Sequence, residues 1–219
     1  MYLFSHFRDL FLDFLFPQSS KILELESLSI QTLIETLPQA QRLQDQHTLA
    51  IFDYSHPIVK ELVWELKYSG NRKIADKLGE IIYDVICQEL SELALFERWE
   101  RPILIPIPVS DKRRLERGWN QSELLVENIV KRDHEKRFEY LPKQLEKIQH
   151  TESQTKTSSR NERLKNLTNS MKVLDTSAVD GRCVILVDDV TTTGSTFAEA
   201  RRALRYAGVK KILCIAVAH

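Results

Sequence analysis

Four apolar residues, Val184 to Val187, lead directly into two adjacent carboxylates, Asp188 and Asp189. An ionised aspartate that is buried without a partner costs several kcal/mol, so the pair must emerge into a polar site. In an open α/β sheet, ligands bind outside the carboxyl ends of the strands. The run therefore predicts a buried strand whose end forms part of a binding site.

Apolar and amphipathic segments alternate along most of the chain. Strands are predicted at residues 48–54, 102–108, 182–187 and 212–218. Helices are predicted at residues 57–66, 74–95, 120–136 and 197–207, with residues 112–117 in a polar loop and Gly208 as the cap of the last helix. Because nearly all-apolar strands alternate with helices, the pattern predicts an α/β fold with a central, mainly parallel sheet and helices on both faces.

The first 47 residues fit this pattern least. Their leucines indicate one or two short helices, so we expect a small helical N-terminal segment at residues 1–47 and one α/β domain at residues 48–219. Residues 1–16 are rich in Leu and Phe, but charges interrupt them and they are shorter than the ~20 residues of a bilayer span. We expect a helix docked on the protein or on a partner, and the alternative is a helix lying on a membrane surface.

Charge and cysteine content indicate a cytoplasmic protein. The 219-residue chain carries 31 basic and 31 acidic side chains, so no long-range field draws it to nucleic acid or anionic lipid, and local basic clusters must carry any such binding. Its three cysteines have no CxxC spacing, which argues against a disulfide framework or a zinc knuckle. The location is peripheral, at the inner membrane face, if the N-terminal helix binds lipid.

The segment after the carboxylates is rich in hydroxyls and precedes a predicted helix. It consists of Val190, Thr191, Thr192, Thr193, Gly194, Ser195 and Thr196. Successive backbone N–H groups at a helix start form a cradle for an anion such as phosphate, and Gly194 permits a sharp turn. Carboxylates beside such a cradle can accept hydrogen bonds from two vicinal ribose hydroxyls. The segment predicts a ribose 5-phosphate site, and the alternative is an ordinary helix cap next to a solvated turn.

The same segment resembles the phosphoribosyl-pyrophosphate signature of the type I phosphoribosyltransferases. The resemblance implies a type I phosphoribosyltransferase-like fold that binds 5-phosphoribosyl-1-pyrophosphate or ribose 5-phosphate. In that family the acidic pair, here Asp188 and Asp189, is catalytic and holds the ribose diol, while residues 190–196 bind the 5-phosphate. The resemblance also implies Mg²⁺, bound together with the pyrophosphorylated sugar.

Further blocks resemble the ComF competence family. Residues 106–110 with Arg113, Arg114 and residues 117–121 are similar to its PxPxS…RGFNQ block, Gln154, Arg163 and Asn166 to its Q…R..N block, and residues 52–54 and 66–70 to its opening. The resemblance spans about residues 51–219 and implies a role in DNA uptake during natural competence. Many members carry a four-cysteine zinc module after an LLFP segment. Here no cysteine follows Pro17 until Cys87, so we expect no zinc.

The resemblance also implies a pyrophosphate site. In phosphoribosyltransferases the loop after the first core strand holds pyrophosphate, which here corresponds to Ile107, Pro108, Val109 and Ser110. Arg117 is a further candidate, because a guanidinium pairs bidentately with phosphate oxygens. The alternative for Arg117 is an ordinary surface charge.

Two other segments are candidates for the same site. Residues 149–160 are almost wholly polar, which predicts a mobile loop that closes over the ligand, or else a plain surface loop. Gln154, Arg160 and Arg163 lie on or beside this loop and would offset the charge of a leaving pyrophosphate. Lys67 and Tyr68 could reach the site from a helix end, and the alternative for Lys67 is a solvated charge.

Two functions remain open from the sequence. The first is a competence-linked protein that binds the sugar phosphate or the backbone of single-stranded DNA, beside a helicase or membrane channel. Basic residues at 112–117 and 131–147 could form the path, with Trp119 as a stacking surface, although the neutral net charge counts against tight unspecific binding. The second is an active nucleobase phosphoribosyltransferase of nucleotide salvage, whose acceptor no residue identifies. We favour the first, and a homodimer is compatible with both.

Overall fold

The computed structural model describes residues 20–96, 98–148 and 170–219. The predicted N-terminal helix at residues 1–16 and the predicted mobile-loop residues Gln154, Arg160 and Arg163 lie outside the described residues. Contacts divide the chain into two compact units, Met1–Thr36 and Leu37–His219. The described part of the first unit contains helices α1 (Ser20–Ser27) and α2 (Ile30–Thr36). The sequence-based boundary between residues 47 and 48 stays a prediction.

The larger unit is built on a five-stranded, wholly parallel sheet. Its strands are β1 (Thr48–Phe52), β2 (Ile103–Pro106), β3 (Glu139–Tyr140), β6 (Cys183–Val190) and β7 (Lys211–Ala218). Their order across the sheet is β1-β7-β6-β2-β3. A separate antiparallel pair consists of β4 (Leu145–Lys147) and β5 (Met171–Val173). The prediction of an α/β fold with a parallel central sheet is therefore confirmed.

Five helices of the described chain accompany this sheet. They are α3 (Pro57–Trp64), α4 (Arg72–Leu93), α5 (Asp111–Arg117), α6 (Gln121–Arg132) and α7 (Ser195–Tyr206). Pro57 occupies the first turn of α3, where its missing N–H is no loss. The Asn71 side chain caps α4 by accepting from the amides of Lys73 and Ile74. These local signals explain why the predicted helix starts lie close to the observed ones.

Side chains on the two faces of the sheet pack against different helices. Val184 and Leu186 of β6 share one buried cluster with Phe197 and Leu204 of α7. Strand residues alternate between faces, so Ile185 and Val187 point to the opposite face, where α6 packs on β2 and β6 and on α4. No helix in residues 20–96, 98–148 or 170–219 is long and apolar enough to cross a membrane.

The structure corrects the sequence-based prediction in two places. Residues 112–117, predicted as a polar loop, lie in helix α5, which Ser110 caps and which Gly118 ends with a left-handed φ of 84°. Asp188 and Asp189, predicted to follow the strand, lie within β6, where Asp188 pairs with Ala216 and Val190 with Ala218 of β7. The acidic pair is therefore held by a sheet ladder and has the rigidity of a strand.

Candidate functional site

Two loops meet at the carboxyl edge of the parallel sheet. Strands β2 and β6 are neighbours, and Pro106 at the end of β2 lies opposite Val187 of β6. The segment after β2, residues 107–110, and the segment after β6, residues 191–194, therefore emerge side by side. This edge is where a parallel α/β sheet binds its ligands.

The acidic pair is buried and has identified partners. Asp188 and Asp189 are only 7% and 3% exposed. Asp188 Oδ1 accepts hydrogen bonds from Ser122 Oγ and from the Asp189 amide, each at 2.9 Å. Asp189 Oδ1 accepts from the Val190 amide at 2.9 Å. One oxygen atom, Oδ1, of each carboxylate is thus held by hydrogen bonds from the protein.

Lys67 supplies the positive charge for this pair. Its Nζ lies 3.1 Å from Asp189 Oδ2. The same Oδ2 has no hydrogen-bond donor of good geometry in the described part of the chain, so the contact is an ion pair rather than a directed hydrogen bond. Of the two interpretations of Lys67, the structure shows the one in which it reaches the site. Asp189 Oδ2 is itself buried, so a ligand hydroxyl could donate to it only after the side chains that cover it move.

Burial changes the proton affinity of the first carboxyl. Loss of solvent raises the pKa of Asp188 well above its ordinary value, and the neighbouring charge of Asp189 raises it further. Hydrogen bonds from the Asp189 amide and the Ser122 hydroxyl oppose this rise. This environment favours a proton on Asp188, next to the ion pair of Asp189 with Lys67.

We expect Asp188 to make the protein less stable as the pH rises. The unfolded chain releases this proton near the ordinary aspartate pKa of ~3.9, whereas the folded chain holds it to a higher pH. Between the two values the folded state binds more protons, so the free energy of unfolding falls with increasing pH. The stabilisation that Asp188 contributes is complete below the pKa of this carboxyl in the unfolded chain. It is lost as the pH rises through the pKa of the same carboxyl in the folded chain. Asp188→Asn should remove that slope and raise the free energy of unfolding at neutral pH.

Urea denaturation from about pH 4 to about pH 8 measures how the free energy of unfolding changes with pH in the unmodified protein and in Asp188→Asn. Asp175→Asn is the control, because hydrogen bonds from Ser177 lower the pKa of Asp175 and the sign of its contribution is opposite. An Asp188→Asn variant with the pH profile of the unmodified protein would contradict the assignment of a raised pKa.

The loop after β6 presents backbone amides that have no partner among residues 20–96, 98–148 and 170–219. Thr192 and Thr193 are exposed, and the amides of Thr192, Thr193, Gly194 and Thr196 donate no hydrogen bond to any described residue. Gly194 is the N-cap of α7 with a φ of 71°, and a Cβ added there would have no neighbour within 4 Å. The positive end of α7 adds to the attraction for an anion.

The hydroxyl-rich side chains of this loop do not serve as the N-cap of helix α7. No side chain caps α7, and the nearest contact to its first amide in the described chain is a long one, 3.4 Å from the Ser195 amide to Thr193 Oγ1. Two of the predicted binding residues use their amides internally: Val190 donates to Asp189 Oδ1, and Thr191 donates to the Ala218 carbonyl. The available donors therefore begin at Thr192.

The segment after β2 offers fewer donors. The Ile107 amide donates to the Val187 carbonyl, the Ile107 carbonyl accepts from Asn120 Nδ2, and Pro108 has no N–H. The amides of Val109 and Ser110 have no partner among the described residues, so they remain available for an anion. The assignment of residues 107–110 to pyrophosphate stays a prediction.

Arg117 and Trp119 make contacts that the sequence did not indicate. The Arg117 guanidinium lies 4.7 Å from the centre of the Tyr68 ring and donates to Gln121 Oε1 at 3.3 Å. The indole of Trp119 donates to the Leu66 carbonyl at 3.2 Å, and its ring lies against Gly70. Trp119 therefore packs behind the turn that carries Lys67, and its role as a stacking surface stays a prediction.

Two residues near the acidic pair were missed by the sequence analysis. Ser122 donates to Asp188 from the first turn of α6, and its only signal was its place two residues after the helix cap Asn120. Lys147 of β4 lies near Asp188 and Arg113. Burial and then Arg113 lower the pKa of Lys147, while Asp188 acts in the opposite direction. Lys147 is a partly buried lysine beside the carboxyl edge of the sheet and adds positive charge there.

The sheet and its carboxyl edge define the class of protein fold. A parallel sheet whose carboxyl edge carries an acidic pair followed by a loop of unused amides and a helix is that of the type I phosphoribosyltransferase fold. The family model described as the phosphoribosyl transferase domain matches residues 136–219, which include both the acidic pair and the loop.

Curated relatives narrow the class. The chain is 30% identical over 161 residues to the DNA utilization protein YhgH of Escherichia coli K12, covering 73% of this chain and 66% of that protein. It is 34% identical over 157 residues to competence protein F of Haemophilus influenzae, covering 69% and 63%. It is 35% identical over 104 residues to competence protein ComFC of Bacillus subtilis, covering 47% and 38%. The chain belongs to the ComF family of phosphoribosyltransferase-like proteins.

The extent of these matches is limited. The chain spans just under two thirds of the length of the YhgH relatives that it matches. Among solved structures, the glutamine phosphoribosylpyrophosphate amidotransferase of Bacillus subtilis is similar with a TM-score of 0.39 and 17% identity, covering 70% of this chain and 30% of that one. At that TM-score the likeness carries no weight for function.

Proposed function

We propose that the carboxyl edge of the sheet binds 5-phosphoribosyl-1-pyrophosphate or ribose 5-phosphate. The observation that carries the proposal is a set of backbone amides with no partner among the described residues, those of Thr192, Thr193, Gly194 and Thr196, which follow shortly after the strand that bears Asp188 and Asp189. Backbone N–H groups that can bind a phosphate lie next to carboxylates that can accept hydrogen bonds from a ribose diol. A phosphorylated pentose requires both kinds of group side by side. The exposed loop leaves room for the phosphate.

Each part of the edge has a separate role in this proposal. The amides of Thr192 to Thr196 hold the 5-phosphate, with the positive end of α7 behind them. Asp188 and Asp189 accept hydrogen bonds from the ribose hydroxyls, and Lys67 keeps the charge of Asp189 balanced before the ligand arrives. The amides of Val109 and Ser110 are the donors available for a pyrophosphate. Arg117 would have to leave Tyr68 to help them.

Mg²⁺ fits this edge as part of the ligand complex. The acidic pair supplies oxygen donors, which Mg²⁺ prefers, and Asp189 Oδ2 lacks a directed hydrogen bond in the described chain. The described residues contain no group of three His, Cys, Asp or Glu side chains arranged to hold a metal ion by themselves. When bound with the pyrophosphorylated sugar, Mg²⁺ would neutralise charge on its phosphate oxygens. Lys67 and Asp189 would then separate as the ligand hydroxyls donate hydrogen bonds to the Asp189 carboxylate.

We also propose that this site serves DNA uptake or use. The support is the relatives' names, which are competence protein F, competence protein ComFC and DNA utilization protein. Single-stranded DNA repeats the phosphate and sugar groups of the proposed ligand, and a competence helicase or channel would be the accompanying partner. A cytoplasmic location and a homodimer stay predictions.

Isothermal titration calorimetry of the full chain tests the sugar-phosphate proposal. We expect 5-phosphoribosyl-1-pyrophosphate to bind more tightly with Mg²⁺ than without it, and ribose 5-phosphate to bind more weakly and independently of Mg²⁺. Glucose 6-phosphate is the control, because it offers a phosphate on a ring of the wrong size. Absence of binding by both pentose phosphates, or equal binding of the control, would refute the proposal. Release of pyrophosphate on addition of a nucleobase would identify an active transferase.

A further inference from the structure

Two large aromatic side chains are exposed close to the candidate site. Trp64 and Tyr68 are 54% and 52% exposed, and their ring centres lie 5.3 Å apart with the planes inclined at 39°. Burying an aromatic ring is strongly favourable, so a pair that stays half in water indicates a surface used for contact with something else. The two rings form one continuous aromatic surface.

The backbone explains why both rings point outward. Trp64 ends α3, and Tyr68 follows four residues later in a π-helical turn, Glu65–Ser69, so the two side chains share one face. The neighbouring Leu62, Val63 and Leu66 are buried and form the opposite, core-facing side. Single π-helical turns are rare and occur frequently at functional sites. The aromatic pair is therefore distinct from the core face of the helix.

A cation extends the aromatic surface. The Arg117 guanidinium lies 4.7 Å from the centre of the Tyr68 ring, which is a cation–π contact. Helix α5, which ends at Arg117, has no buried residue and carries four basic and two acidic side chains. Two of its cations, Lys112 and Arg113, form no ion pair with any described residue. An aromatic pair with a guanidinium against one of its rings is complementary to an anion that carries flat rings.

The aromatic surface is joined directly to the acidic pair. Lys67, which precedes Tyr68 in the π-helical turn, pairs with Asp189 at 3.1 Å. Trp119 fixes the turn from behind through its hydrogen bond to the Leu66 carbonyl. A polymer of sugars, phosphates and bases can thus place one base against the π-helical turn. A neighbouring sugar phosphate of the same polymer then reaches the carboxyl edge of the sheet.

We infer that Trp64, Tyr68 and Arg117 form a stacking platform for the bases of single-stranded DNA. The inference deepens the proposed function and rests on it. Stacking on aromatic rings is tolerant of sequence, because every base has a flat face, and contributes about 1–3 kcal/mol per base. Arg117 adds a cation for the phosphate next to the stacked base. In duplex DNA the bases are already stacked on each other, so only single strands can use the platform.

Fluorescence anisotropy of labelled oligonucleotides tests this platform. The full chain should bind oligothymidylate at low ionic strength at least about tenfold more tightly than an abasic strand of the same length, which has the same phosphates but no bases. The double variant Trp64→Ala with Tyr68→Ala should lose that preference and bind both strands equally. The paired substitutions Trp64→Phe and Tyr68→Phe, which keep flat rings, should retain most of it.

Tyr206→Ala is the matched control, because Tyr206 is a 91% exposed aromatic side chain on α7 outside the platform. An abasic strand that binds the unmodified protein as tightly as oligothymidylate would overturn the inference, and so would an equal loss in Tyr206→Ala. Thymidine monophosphate that competes as strongly as the strand would instead assign the platform to a free nucleotide and also overturn it. Calorimetry with ribose 5-phosphate separates this test from the proposed function. The double alanine variant should bind it normally, whereas a protein that never binds it fails the earlier proposal.

Discussion

Replacement of both Asp188 and Asp189 by asparagine is expected to weaken binding of 5-phosphoribosyl-1-pyrophosphate, in the presence of Mg²⁺, by at least about a hundredfold. A hydrogen bond to a charged group contributes about 1.5–3 kcal/mol. The ribose hydroxyls lose the carboxylate of Asp189 and the carboxylate that Asp188 presents once the ligand displaces its proton. Asparagine keeps the size of the side chain, so the ladder of β6 with β7 should persist. Calorimetry of the folded double variant measures the loss.

Asp175→Asn is a suitable control for the loss of negative charge. Asp175 accepts hydrogen bonds from Ser177 and the Ala178 amide in a turn between β5 and β6, away from the carboxyl edge. Its replacement should leave the affinity unchanged. Should the double variant fold, as judged by urea denaturation, and still bind the ligand normally, the diol assignment would be wrong.

The loss should also depend on which carboxylate is removed. Asp189 is charged and paired with Lys67, whereas Asp188 is held in a setting that favours its protonated form. Ligand hydroxyls that require an acceptor at Asp188 must displace its proton, so affinity should increase with pH in the unmodified protein. Asp188→Asn should remove that increase, whereas Asp189→Asn should keep it but move it to lower pH, because loss of the neighbouring charge lowers the pKa of Asp188. This contrast assigns a distinct task to each member of the pair.

The general fold could be predicted because its signals are local. Periodic apolar residues, Pro57 at a helix start and Gly208 at a helix end lie within a few residues of the elements that they define. Helix α5 escaped prediction because it has no buried residue and hence no apolar periodicity. Strands β3, β4 and β5 contain two or three residues each, which is too few to show an alternating pattern.

The chemistry of the site could be predicted only in part. Adjacent acids before a hydroxyl-rich loop are contiguous in the sequence, so their joint role was visible. Ser122 could not be predicted as a partner, and Lys67 could be named only as one of two alternatives, because both come from distant parts of the chain and meet the pair only through the packing of α6 and the π-helical turn. The same reason explains why the partner of the Trp119 indole N–H, a carbonyl 53 residues away, could not be identified from the sequence.

Gly194→Ala is expected to weaken binding of ribose 5-phosphate by about tenfold to a hundredfold while leaving the protein folded. Gly194 has a φ of 71°, and a Cβ there points into open space, so the folded chain has no steric clash to relieve. The strain of alanine in the left-handed region costs about 1–2 kcal/mol. A ligand phosphate held by the neighbouring amides would meet the new methyl group and lose at least one hydrogen bond to a charged acceptor. Calorimetry with ribose 5-phosphate isolates this effect, because that ligand lacks the pyrophosphate.

Gly181→Ala distinguishes the ligand effect from the backbone effect. Gly181 also has a φ of 71°, its added Cβ would make only ordinary contacts of 3.9 Å with Lys210, and it lies before β6, at the opposite end of the strand from the loop. Both variants should therefore lose similar stability in urea denaturation, but only Gly194→Ala should lose affinity. Equal affinity in the two variants would mean that the phosphate binds elsewhere. Since the two glycines have the same φ of 71° and differ in position, a loss of affinity in Gly194→Ala alone would assign the phosphate to the loop after β6.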